Sequence, residues 1–98
     1  MALWIKTNAA PQQVAPANGK RFTLAEMQRY VGGYIEALQL TDGTIMWLNE
    51  EGKLKGLPYN PVADRIAQMH QAVAFSDQIV GDVLVATRAE TGDEEDED

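Results

Sequence analysis

Apolar and polar positions alternate from the start of the chain. In residues 2–7, Leu3 and Ile5 share one side while Trp4 and Lys6 share the other. A period of two, with aromatic and β-branched members, predicts a short strand. Residues 8–19, "NAAPQQVAPANG", carry two prolines, a glycine and two asparagines, and predict a loop or extended connection. The period then lengthens. Leu24, Met27 and Val31 share one helical face. Thr23 and Glu26 have the spacing of a capping box, and Gly32-Gly33 supplies a left-handed stop. "YIEALQL" and "TIMWLN" flank Thr41-Asp42-Gly43, a strong hairpin signal. Asn60 and Pro61 suit the N-cap and first turn of a second helix. Val62, Ile66, Met69 and Val73 give that helix a core-facing stripe. "QIVGDVLVATR" is apolar on nearly both sides, which predicts an interior strand covered on one side by helices.

The resulting order is β-α-β-β-α-β. It predicts a small α+β domain over residues 1–89, with a mostly antiparallel sheet and two helices on one face. A ferredoxin-like, split β-α-β arrangement is compatible with that order.

Composition adds limits. The 98-residue chain is 45% hydrophobic and 23% charged, enough for one core but crowded for a deep enclosed active site. It has no cysteine, so disulfides and thiolate metal sites are excluded. That fits a reducing cytoplasm. Its N-terminal apolar cluster is too short for a secretory signal, and no apolar run approaches the ~20 residues of a membrane-spanning helix. A soluble, cytoplasmic protein is expected, with no membrane partner.

The net charge of −7 is unevenly placed. Seven of the fifteen acids lie from Glu90 onward, leaving eight to balance the eight lysines and arginines. The body is neutral, and residues 90–98 read as a self-repelling, disordered acidic tail. A solubility role is the plain reading of it; a lure for a basic partner is the functional one.

Several chemistries are disfavoured. Zinc needs about four nitrogen or sulfur ligands, and His70 is the single histidine. His70 reads as a partly exposed helix residue, and nothing resembling a nucleophile elbow surrounds Ser76. "EGKLKG" is not a phosphate loop: Trp47 stands where the first glycine belongs, and Leu54 follows Lys53. Asn49, Glu50 and Glu51 lack the alternation of a calcium loop. Glu50 and Glu51 point to opposite sides of a strand, and Glu36 can face one of them across the hairpin. Acid pairs catalyse when burial separates their pKa values, and nearby Lys53 and Lys55 make surface ion pairing the simpler reading. No catalytic residue, metal or cofactor is expected. A neutral body with an acidic tail also argues against nucleic acid. Trp4 and Trp47 fit packing in or near the core better than base stacking.

That leaves "NEEGKLKGLPYN", residues 49–60. Gly52 and Gly56 permit positive φ and close backbone approach. Exposed amides beside two lysines can hold an anion. The expected ligand contacts are Asn49, Lys53, Lys55, Tyr59 and Asn60. The competing reading is a connection that only turns the chain, with Asn49 ending a strand and Asn60-Pro61 starting a helix.

"VGGYIEALQL", then "NEEGKLKGLPYNPVA" and "IVGDVLV", resemble a small domain-of-unknown-function family carried by bacteriophages, plasmids and other mobile elements. The resemblance spans residues 23–86 and includes Gly32, Gly33, Tyr34, Ile35, Glu36, Asn49, Glu51, Gly52, Lys53, Leu57, Pro58 and Asn60. The helix "VADRIAQMHQA" and the acidic tail depart from the family pattern. The resemblance implies a genomic setting rather than a mechanism, and its fixed polar loop residues suggest recognition. Two functions are therefore carried forward. One is a non-enzymatic, counter-defence type accessory protein that binds a small anionic or nucleotide-like ligand at this loop. The other is an inhibitor that docks on a host nucleic-acid-binding protein, of antirestriction or anti-CRISPR type, through its acidic tail or an exposed face. A homodimer formed by edge pairing stays open.

Overall fold

The computed structural model describes residues 2–73 and 77–91. Its five strands are β1 (Ala2–Ile5), β2 (Gln12–Val14), β3 (Ile35–Gln39), β4 (Thr44–Asn49) and β5 (Val83–Thr87). They form one antiparallel sheet in the order β2-β1-β5-β4-β3. The helices are α1 (Leu24–Val31), α2 (Pro61–Met69) and a single turn, α3 (Arg88–Thr91). The α+β class and the antiparallel sheet are as expected.

Three features differ from expectation. β2 lies inside the stretch read as a loop, where Ala2 pairs with Val14 and Trp4 with Gln12. β5 is interior as expected, but it lies between β1 and β4 and, among the described residues, no strand pair is parallel, so the sheet is not the ferredoxin-like one. The helices also cover opposite faces. Val83 packs with Ile5, Met46 and the α2 residues Ala63 and Ala67. Its neighbour Leu84 packs with Ala2, Phe22 and Met27 on the α1 side. Successive strand residues point to opposite faces, so β5 is apolar on both sides because each side has its own helix.

Local signals place the elements. Thr23 accepts from the Glu26 N–H at 3.1 Å while the Glu26 carboxylate accepts from the Thr23 N–H at 3.0 Å, a complete capping box. Gly32 ends α1 at φ 81°. The hairpin closes with the Leu40 N–H on the Thr44 carbonyl. The expected stripes are met in part: Met27 and Val31 of α1 are buried, and Ile66 and Val73 pack against the α2-side core. Leu24 is exposed, and Phe22, Met27 and Val31 carry the α1 core. On α2, Met69 is 74% exposed and Val62 also faces outward, while Ala63 and Ala67 are fully buried. The cap residue anchors the start of α2. Asn60 is fully buried and donates to the Ile5 carbonyl at 3.0 Å and the Gly81 carbonyl at 2.8 Å, while its Oδ1 accepts from the Ala63 N–H. His70 caps the other end of α2, where its Nδ1 accepts the Thr41 N–H at 3.2 Å and so ties the helix to the hairpin turn. Among the described residues no helix is long and apolar enough to cross a membrane.

Candidate functional site: the loop after β4 and its cleft

The loop after β4 is a bonded hook rather than a slack connection. Asn49 is buried; its Nδ2 donates to the Val31 carbonyl at the end of α1, and its Oδ1 accepts from the Glu51 N–H. The Lys55 N–H then bonds the Glu51 carbonyl, and the Leu57 N–H the Gly52 carbonyl. Gly56 turns the chain at φ 67°, a conformation that favours glycine. The hook returns along the segment before β5, with the Gly81 N–H on the Pro58 carbonyl and the Asn60 N–H on the Ile79 carbonyl.

Several motif residues have a packing reason. A Cβ on Gly33 would meet the Asn49 amide nitrogen at 2.9 Å, and one on Gly81 would meet Leu57 at 2.8 Å. A Cβ on Gly52 would press on Val80 at 3.0 Å. Gly33, Asn49, Gly52, Leu57, Asn60 and Gly81 thus form one joint that fastens the hook to α1 and to the entry of β5. An unsatisfied buried amide costs about 1–3 kcal/mol, so the two asparagines serve this joint strongly.

The five expected contacts do not converge. Asn49 and Asn60 turn their amides inward, as above. The Tyr59 hydroxyl donates to Asp64 Oδ2 at 3.0 Å, and this bond to a carboxylate raises the phenol pKa above its usual value. Lys53 pairs with Asp77, whose carboxyl is held below its usual pKa first by that bond and then by the Gln78 N–H. Lys55 pairs with Glu51 at 3.6 Å, on the side of the hook next to Gly33 and Tyr34. The two lysines therefore sit in different surroundings, each beside an acid.

A cleft of about 360 Å³ lies on the α2 face beside Lys53. Leu38, Leu48, Leu54 and Val73 give it an apolar surface, and Glu36, Glu50 and Asp77 join Lys53 at its polar positions. Sequence reasoning placed Glu36 opposite one of the loop glutamates, and the structure puts it in this cleft with Glu50. The contribution of Asp77 was not foreseen, because 24 residues separate it from Lys53 and no spacing links them. Ser76 lies outside the described residues, as does most of the acidic tail. Glu90 and Thr91 belong to α3, and the Glu90 carbonyl accepts the Phe22 N–H. Among the described residues no cluster of histidine and acids has the form of a metal site.

No curated protein and no solved structure matches the chain. A family model described as "Domain of unknown function (DUF3846)" matches residues 2–97. The chain belongs to this uncharacterised domain family.

Proposed function

We propose that this chain is a non-enzymatic binding protein, an accessory of a phage or other mobile element, that docks on a basic protein partner in the host cytoplasm. The mobile-element setting rests on the resemblance of residues 23–86. The observation that supports a protein partner is the polar make-up of the α2-side cleft: three carboxylates stand against one ammonium, and that ammonium is already paired. A small anion entering there meets excess negative charge, whereas a lysine or arginine side chain finds acceptors and an apolar floor. Lys55 offers an anion little more, since Glu51 lies beside it and the adjoining end of α1 presents carbonyls. Glu36 and Glu50 are exposed, so both carboxylates face water and lack the contrast in environment that an acid-base pair uses.

Native mass spectrometry of protein purified from bacterial lysate tests this, beside a Lys53→Ala, Lys55→Ala variant. The expected result is the bare chain mass in both samples. A small molecule present in the parent and lost in the variant would restore the nucleotide-like ligand and remove the protein partner.

A further inference from the structure

We infer that β3 is a docking edge that accepts an extended basic segment of another protein as a sixth strand, with its basic side chains over the cleft. The inference rests on the binding reading above and goes further, since it names the edge, the backbone contacts and the side-chain pattern of the partner.

Among the described residues, β3 is the last strand of the sheet on its side and pairs with β4 alone. The Leu40 N–H bonds the Thr44 carbonyl at one end of the pair, and the Glu50 N–H bonds the Tyr34 carbonyl at the other. Partnering alternates along an antiparallel ladder. Glu36 and Leu38 therefore face β4, while the N–H and C=O groups of Ile35, Ala37 and Gln39 point to the open side. Exposed edges are commonly protected by lysine, proline, a bulge or short length. β3 runs for five residues, "IEALQ", with no proline or lysine, and carries only the charge of Glu36. The opposite edge, β2, has three residues and lies between Pro11 and Pro16.

Side-chain direction links this edge to the cleft. Glu36 and Leu38 line the cleft on the α2 face. Ile35 packs on the α1 face, and Gln39 accepts from Arg88 at 2.9 Å. An added strand would place alternate side chains beside Glu36 and Leu38, within reach of Glu50. The others would lie beside Ile35 and Ala37, which suits small or apolar residues. Among the described residues, no ion pair or hydrogen bond holds the Glu36 or Glu50 carboxylate. The matching partner is thus a segment that alternates basic and apolar residues. A second copy of the chain fits less well, because it would bring another Glu36 to the same edge.

The test uses the full chain, labelled with ¹⁵N, and capped peptides as long as β3 that alternate lysine with valine or glutamate with valine. The lysine peptide should shift the amide signals of Ile35, Ala37 and Gln39, and the glutamate peptide should not. N-methylation of alternate peptide amides keeps the charge but removes backbone donors, and should weaken binding about tenfold or more. Glu36→Lys should weaken it roughly fivefold. If the N-methylated lysine peptide binds equally well and shifts only cleft residues such as Glu50 and Lys53, the added strand is wrong while the basic partner stands. If neither charged peptide binds, both readings fall. Shifts at β3 that grow with protein concentration alone would make the occupant a second copy and overturn the basic segment.

Discussion

The two faces of the sheet are built differently. The α1 face carries aromatic packing: Tyr30 meets Trp4 edge-on at 4.9 Å and Phe22 at 5.9 Å, and the Trp4 indole donates to the Tyr30 carbonyl. Lys6 adds a cation over the Trp4 ring. The α2 face is covered by a helix that buries two alanines, and it keeps a cleft at the β3–β4 end. Both faces bury large apolar side chains, with Ile5, Leu40, Met46, Ile79 and Val83 on the α2 face and Phe22, Met27 and Leu84 on the α1 face, but the α2 face keeps the roomier cleft, beside Lys53. Function is assigned to the α2 face for that reason.

Phe22→Ala would break the contrast most strongly. Truncating a buried phenylalanine costs about 3–5 kcal/mol, a large share of the ~5–15 kcal/mol available to a domain of this size. The guanidinium midpoint should fall accordingly. Asn60→Ala comes next. It leaves the Ile5 and Gly81 carbonyls without their partner and removes the cap of α2, at a cost of about 2–4 kcal/mol. Hydrogen exchange should show α2 losing protection more than α1.

Glu26→Gln gives a smaller, pH-dependent effect on the α1 face. The Glu26 carboxyl is held below its usual pKa first by the Thr23 N–H and then by the Ala17 N–H. A lowered folded-state pKa adds stability at neutral pH, and that stability is lost as pH falls through the folded value. The parent should therefore exceed the variant in stability at pH 7, and the gap should narrow in acid; a gap independent of pH would contradict the assignment. Lys53→Ala should change stability least, by about 0.5 kcal/mol or less, because its ion pair with Asp77 is exposed. The same change makes the cleft more acidic and should tighten a lysine peptide, which sharpens the functional half of the comparison.

What the sequence disclosed was local. The capping box at Thr23, the stop at Gly32, the Asp42-Gly43 turn and the Asn60-Pro61 start each act within a few residues, and each is found where expected. What it hid was long-range. Asn60 reaches Ile5 across 55 positions, and α2 buries Ala63 and Ala67 while Val62 and Met69 of the expected stripe face outward. β2 is three residues long and exists through pairing with β1, so propensity alone could not reveal it. The apolar pattern of β5 showed burial but not that its two faces belong to different helices. In the loop, residue type suggested ligand contacts at Asn49 and Asn60, and only their partners show both amides turned inward. The cleft was half legible, through Lys53 and Glu36, while Asp77 arrives from a distant segment.

The most direct measurement is the affinity of the alternating lysine–valine peptide as a function of salt, for the parent chain and for a Glu36→Gln, Glu50→Gln variant. The account predicts binding that weakens as salt rises and weakens again in the variant, because screened carboxylates at the cleft supply the recognition. Binding that ignores both salt and the two substitutions would contradict it.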